Sequence, residues 1–499
     1  MTADEARSTR NTALAVAALV LLRLVGAAWT PLTFDEAYYW IWSKHLAFGY
    51  YDHPPGVALV IRLGTMIAGD TELGVRLVSI LLAAPMSFAV YRTAEILFGG
   101  KLVAANATIL LNVTLMAAVG TLIVTPDSPL LVASSFVLFF LAKLLESGRG
   151  MWWIAVGAAA GLALVSKYTA MFFGPAILIW LISVPKLRKW FFSPWLYLGG
   201  LVALAIFSPV ILWNADHHWV SFIKQLGRSE VTGFRPAFIG ELIPTQIAFA
   251  TPLVFILGLM GLYALARREG GALASRAQIN AMFWVITLYF FWHSLHARVE
   301  ANWFAPVYPP LAIAAAAASL SSWDRYPQRV VDFCLRWASP VGIVMFAGLM
   351  VQANTGVLTG FRRDATVRSV GVGWETLAAD IEATRTRVGA SCVLAPDYGT
   401  ASWLTFYLPK GTCVIQPTQR IRWVNIGEPD PAKLSGKLLW VDEVRASIQP
   451  YVAKTFAKVE RVGEFKRMRG PLVIETYALD LLEQPVRPVL DNSPPPELQ

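Results

Sequence analysis

The sequence predicts an α-helical polytopic membrane protein with a small C-terminal α/β domain, and three observations lead there. Of 499 residues, 56% are hydrophobic and only 15% charged, too little charge to solvate a globule of that size. The apolar residues gather into runs of roughly 18–24, the length that crosses a bilayer as a helix. From residue 357 onward the runs stop, and short segments of soluble-domain composition take over.

Taken in order, Arg7 and Arg10 precede the first run, residues 12–30. Gly26, Ala27 and Ala28 offer a small-residue zone like that of a signal peptide, but Arg23 is foreign to a signal core, so the run reads as an uncleaved helix. An Arg within the membrane costs about 2.5–3.5 kcal/mol on insertion scales unless it snorkels or pairs, and snorkelling to the outer surface is the simpler expectation. Residues 33–56, TFDEAYYWIWSKHLAFGYYDHPPG, form a loop just outside the hydrocarbon. Trp29, Tyr38, Tyr39, Trp40, Trp42, Tyr50 and Tyr51 suit the headgroup layer there. Residues 54–68 read as a surface helix. Further spans follow at about 73–98, 101–122, 129–146, 151–166, 169–184, 194–213, 245–266, 278–292, 303–321 and 337–356, about eleven with the first.

Charge fixes the expected topology. Lys101; Lys143 and Arg149; Lys186, Arg188 and Lys189; Arg267, Arg268 and Arg276; and Arg325, Arg329 and Arg336 fall at turns on the same side as Arg7 and Arg10, the cytoplasm. The net charge of +9 is therefore a topology signal, and nucleic acid is excluded as a partner. The alternate turns, with Asp35, Asp127, Lys167, residues 217–235 and residues 293–302, face outward together, on the periplasmic side of an inner membrane.

The expected domains are a membrane part at 1–356, a periplasmic α/β domain at 357–483 and a disordered tail at 484–499. In the α/β part, residues 374–388 have helical periodicity, CVLAP at Cys392 and CVIQP at Cys413 read as short strands, ASWLTFYL as a helix, and LLWV and PLVIETY as further strands. Cys392 and Cys413 pair if the domain lies outside the cytoplasm; two unpaired thiols is the other reading, and the sequence leaves both open.

Four outward-facing clusters carry candidate chemistry. Asp35 and Glu36 are adjacent carboxylates, with Asp52 and His53 near the end of the same loop. Paired carboxylates split their pKa values, so that one serves as general base while the other binds a donor group. In TPDSP, Asp127 lies between two prolines in a short turn. In SKYTA, Lys167 beside Tyr168 stands at the outer end of a span, where a Lys grips phosphate as a point charge. The loops WNADHHWVSFIKQLGRSE, with Arg235 beyond, and FWHSLHARVEANW add Lys224, Arg228, Arg235 and Arg298 as phosphate partners, and His218, Gln225, Glu300 and Asn302 as polar groups for a sugar. His293, His296 and Glu300 share one face if the helix runs through them, which makes them the candidates for a divalent metal. Snorkelling, capping and simple solvation are the competing roles for each of these residues.

The motifs FDEAYYWIWSKHLAFGYYDHPPG, TPDSPLL, SKYTA, WNADHHWVSF and VEANWFAP, in that order and spacing, resemble bacterial family 39 glycosyltransferases, relatives of protein O-mannosyltransferases and of the aminoarabinose transferase of lipid A. ASWLTFYLP resembles a motif of their C-terminal domains. The resemblance implies the GT-C fold and transfer of one sugar from a polyprenyl-phosphate carrier to an envelope acceptor, a lipid or glycan such as lipid A or lipopolysaccharide core in preference to a protein. It implies that Asp35 is the catalytic acid-base position with Glu36 its companion. No cofactor is required by this scheme, and a divalent metal is left open. In-line displacement would invert the sugar. The competing class is a multi-spanning transporter or flippase, which needs polar sites reached from both sides.

Overall fold

The computed structural model describes residues 3–227, 233–267, 271–358, 364–445 and 447–493. The chain divides into two compact units, Met1–Gly26 with His53–Gly348, and Ala27–Asp52 with Leu349–Gln499. Chain order had assigned residues 27–52 to the membrane part; packing groups them with the C-terminal residues.

Among the described residues six helices are long and apolar enough to cross a membrane: Glu5–Trp29, Glu72–Phe98, Asp127–Ser147, Pro194–Asp216, Ala301–Leu320 and Arg325–Thr355. A pair bent by 99°, Ala237–Ala250 with Pro252–Ala266, makes a seventh if taken as one span. Other apolar runs are shorter helices, among them Gly56–Ala68, Lys101–Val113, Trp152–Ser166 and Tyr168–Ser183. Hydropathy cannot see where the backbone breaks. The run 101–122 is cut at Thr114, which leaves the helix to cap the next one by accepting from the Ala117 amide. The bent pair turns at Thr251, whose φ of 63° lies in the left-handed region.

Small residues set the close crossings of the first unit. A Cβ on Gly157 would fall 2.0 Å from the Gly199 carbonyl oxygen, and one on Gly261 would fall 1.8 Å from that of Ala314, so these backbones touch as membrane helices do when glycine removes the side chain. Arg23 does not snorkel. It is 1% exposed and donates to the side-chain oxygen of Asn112 at 3.1 Å and to the Asn112 carbonyl at 2.9 Å.

The second unit is built on a five-stranded sheet of order β2-β1-β3-β5-β4, with β1 at Cys392–Leu394, β2 at Cys413–Ile415, β3 at Leu438–Glu443, β4 at Phe456–Arg469 and β5 at Leu472–Pro485. β1 runs parallel to β2 and β3, and β5 is antiparallel to β3 and β4. Cys392 and Cys413 lie opposite each other in the β1–β2 register and are joined by a disulfide. The helices Trp374–Val388 and Tyr398–Tyr407 match the expected positions; the second starts at Asp397, whose carboxylate accepts from the Thr400 amide. Strand β4, AKVERVGEFKRMR after Phe456, was not foreseen because its alternation is charged against weakly apolar. The tail expected from residue 484 is instead packed onto the sheet: β5 runs to Pro485 and Val489 is buried in the core with Trp440, Val452 and Phe456. Residues 494–499 lie outside the described residues.

Candidate active site

The helix Phe34–Lys44 begins with a reciprocal cap. The Thr33 hydroxyl accepts from the Glu36 amide at 3.2 Å, while Glu36 Oε2 accepts from the Thr33 amide at 3.0 Å and from its hydroxyl at 3.1 Å. This is a capping box, and it separates the two carboxylates. Glu36 is turned back and fully buried, so its Oε2 is engaged by the cap at Thr33. Asp35 points elsewhere.

Asp35 Oδ1 accepts a hydrogen bond from the Tyr398 hydroxyl at 3.0 Å. Asp52 accepts from the Tyr38 hydroxyl at 3.0 Å and forms an ion pair with Arg422. The Arg422 guanidinium lies 4.3 Å from the centroid of the Tyr398 ring and 5.2 Å from that of Tyr51, and its Nε donates to Gln419 at 3.0 Å. Trp403, on the same helix as Tyr398, donates to the Leu32 carbonyl at 3.0 Å, and Phe34 packs edge-on against both rings. All of these residues belong to the second unit.

The electrostatics follow from that setting. Burial among aromatic rings pushes the Asp35 carboxyl up to about 6; the Tyr398 hydrogen bond opposes this, nearby Asp52 adds to it, Arg422 opposes it and Glu36 adds to it. Burial and the charge of Asp35 push the Tyr398 phenol above its ordinary value. Burial alone would make Arg422 less basic, yet Asp52 and Tyr38 hold it charged and more basic than usual. The arrangement is a half-buried carboxyl group that ionises near neutrality, beside a permanent cation already balanced by Asp52.

The sequence had not singled out Tyr398 or Arg422. Tyr398 lies three residues before the ASWLTFYLP motif, so a signal was close by; Arg422, in QRIRW, has none.

The other candidates fall in the first unit. His53 is half-buried. Asp127, Lys167 and Asn302 come together: the Lys167 ammonium donates to both Asp127 oxygens, at 2.7 and 2.8 Å, and Asn302 donates to Oδ2 at 2.6 Å. Asp127 is 1% and Lys167 6% exposed. Lys167 is thus committed to a carboxylate and is not the free point charge that was expected to grip phosphate. The Tyr168 hydroxyl shares a hydrogen bond of 2.8 Å with Ser221. Arg298 pairs with Glu241 at 3.1 Å, both largely exposed. His218 is exposed, with a left-handed φ of 56°; Gln225 is half-buried on the helix Val220–Gly227. Arg228 lies outside the described residues.

The metal candidates do not assemble. The helix Leu273–Ser294 stops before His296, whose Nδ1 lies 3.1 Å from the Trp292 carbonyl oxygen, and Glu300 starts a separate short turn and is exposed. The shared face needed an unbroken helix through residue 300. Among the described residues no group of three or more His, Cys, Asp or Glu is placed to hold a metal ion.

Comparison with known proteins bears on this geometry. The family model described as dolichyl-phosphate-mannose-protein mannosyltransferase matches residues 52–213. The lipid A galacturonosyltransferase RgtD of Rhizobium johnstonii is 24% identical over 343 residues, 64% of this chain and 67% of that protein. Among solved structures, ArnT from Cupriavidus metallidurans bound to undecaprenyl phosphate aligns with a TM-score of 0.64 at 18% identity, covering 94% of this chain and 97% of that one. The mycobacterial arabinofuranosyltransferase AftD aligns at 0.52 and 13%, covering 95% of this chain and 40% of that one. The resemblance drawn from the motifs is therefore met in sequence over part of the chain and in fold over nearly all of it, and the chain is a multi-pass membrane protein with the ArnT-like GT-C fold.

Proposed function

We propose that the protein transfers a single sugar from a polyprenyl-phosphate donor to a lipid or glycan acceptor of the cell envelope, of the lipid A or lipopolysaccharide core class, with Asp35 as general base. The observation that carries this reading is Asp35 itself, a carboxyl group raised to about 6 by burial and held by Tyr398. A base with that acidity is mostly ionised at neutral pH yet still basic enough to take a hydroxyl proton. The acceptor oxygen then attacks the sugar C1 as the bond to the carrier phosphate breaks, the phosphate leaves with the bonding electrons, and the anomeric centre inverts. No cofactor enters this scheme. The donor class is supported by the undecaprenyl phosphate bound to the ArnT of similar fold, and the acceptor class by the RgtD likeness.

The leaving phosphate needs cations. Lys167 is locked to Asp127 in a buried pair, which is costly to break. Arg298 differs, because its pair with Glu241 is exposed and such pairs contribute about 0–1 kcal/mol. The Cys392–Cys413 disulfide supports an oxidising compartment for the second unit, in line with the positive-inside charge pattern and an inner-membrane location.

The test is mass spectrometry of envelope lipids and glycans from cells carrying the wild type, a gene deletion, or Asp35→Asn. Loss of one sugar mass from the same acceptor in both mutants is expected. Full restoration by Asp35→Asn would remove Asp35 from the chemistry and favour a transporter.

A further inference from the structure

Strands β1 and β2 lie side by side, parallel and tied by the Cys392–Cys413 disulfide. The chain leaving β1 reaches Tyr398 four residues past Leu394, and the chain leaving β2 reaches Arg422 seven residues past Ile415. Carboxyl ends of parallel strands are where α/β units place functional groups. Here both ends deliver side chains to one hydrogen-bonded series: Asp35 accepts from Tyr398, Arg422 lies over the Tyr398 ring, and Asp52 pairs with Arg422. A cation over a phenol ring draws electron density from it and strengthens its O–H as a donor. Among the described residues Asp35 Oδ2 receives no protein hydrogen bond, which leaves that oxygen for an acceptor hydroxyl.

We infer that Tyr398 is a positioning residue for Asp35, and that Arg422 positions Tyr398 in turn, so that the C-terminal α/β unit fixes both the orientation and the acidity of the catalytic carboxylate. The inference rests on Asp35 being the general base. Its alternative is that the two residues merely pack.

The groups facing Asp35 are Glu36 and Tyr39 on its own helix, Asp52 with Tyr38, Tyr398 and Arg422. Tyr398 and Arg422 favour the ionised carboxylate, while Asp52 and Glu36 oppose it. Tyr398→Phe deletes the hydrogen bond. Arg422→Gln deletes the cation and also leaves the Asp52 charge unopposed. Both changes therefore raise the pH at which Asp35 ionises, by about one pH unit for a hydrogen bond to a charged group.

The full-length protein in detergent is treated with a water-soluble carbodiimide and glycine ethyl ester across pH 4–9. That reagent couples the protonated carboxyl, and peptide mass spectrometry reads the Asp35 midpoint without any substrate. Tyr398→Phe and Arg422→Gln are expected to move the midpoint up by about one unit, with Arg422→Lys close to wild type. Cells carrying either variant are expected to lose sugar transfer at acidic growth pH and regain it at alkaline pH. An unmoved midpoint in variants that melt like the wild type overturns the inference while leaving Asp35 as base. Continued transfer by Asp35→Asn overturns the general-base reading, and the inference with it, whatever the midpoint does.

Discussion

At the scale of single residues, two adjacent carboxylates have been given opposite work by one turn of backbone. The sequence shows the means, since Thr33-Phe34-Asp35-Glu36 has the T-x-x-E spacing of a capping box, but spacing alone does not say which carboxylate is spent on the cap. Because Gln also completes that box, Glu36→Gln is expected to keep activity, whereas Glu36→Ala costs about 1 kcal/mol of stability with little change in chemistry. A catalytic Glu36 would give the reverse, inactivation by Gln. For Asp35 the linkage has the opposite sign to an ordinary salt-bridged carboxylate. Its folded-state value, about 6, lies above the unfolded value near 3.9, so its contribution to stability is complete below about pH 4 and is lost as pH rises through about 6. Asp35→Asn is therefore expected to melt no lower than wild type at pH 7.5, in a thermal unfolding scan, while transfer falls by roughly 100-fold or more. Wild-type turnover should rise with pH up to about 6–7 and flatten above, because the ionised carboxylate is the active form.

At the scale of elements, the motifs TPDSP, SKYTA and VEANW are read from the sequence as separate sites, and the structure makes them one. Asp127 opens the helix Asp127–Ser147, Lys167 closes Trp152–Ser166, and Asn302 lies in the turn Ala301–Val307; the carboxylate of Asp127 ties all three together. No local signal reveals the pairing, because the partners are 40 and 175 residues apart. Removing one partner strands a buried charge, so Asp127→Ala is expected to cost about 3–5 kcal/mol. The paired replacement Asp127→Leu with Lys167→Met should recover most of it, a non-additivity read in a double-mutant cycle of thermal stability. If the double variant is as unstable as the sum of the singles, the ion pair does not hold these elements together. Hydropathy likewise passes over the backbone breaks at Thr114 and Thr251; it placed the runs at 129–146 and 194–213 to within a few residues, but the helix expected at 337–356 begins at Arg325.

At the scale of the whole chain, composition was sufficient for the class, and the ordered motif set for the fold, because both are carried by many residues at once. The grouping of Ala27–Asp52 with the C-terminal unit was not legible, since it depends on which surfaces pack and not on chain order. Arg422 was hidden for the same reason, its partners Asp52 and Tyr398 coming from different stretches of the chain. The disulfide is the feature that joins this unit to its compartment. Cys334 is buried within the helix Arg325–Thr355, so in intact cells no described cysteine is expected to react with a membrane-impermeant maleimide. After denaturation without reductant one thiol should be alkylated, and after reduction three. Three before reduction would mean that Cys392 and Cys413 are thiols in the cell and would set the second unit in a reducing compartment, against the proposed periplasmic site. Replacing both by Ser opens a loop with a sequence separation of 21 and is expected to cost about 3 kcal/mol on the loop-entropy model. Because the strands it joins lead into Tyr398 and Arg422, the same variant should lose transfer at temperatures below its melting transition, as the strand ends loosen before the unit unfolds.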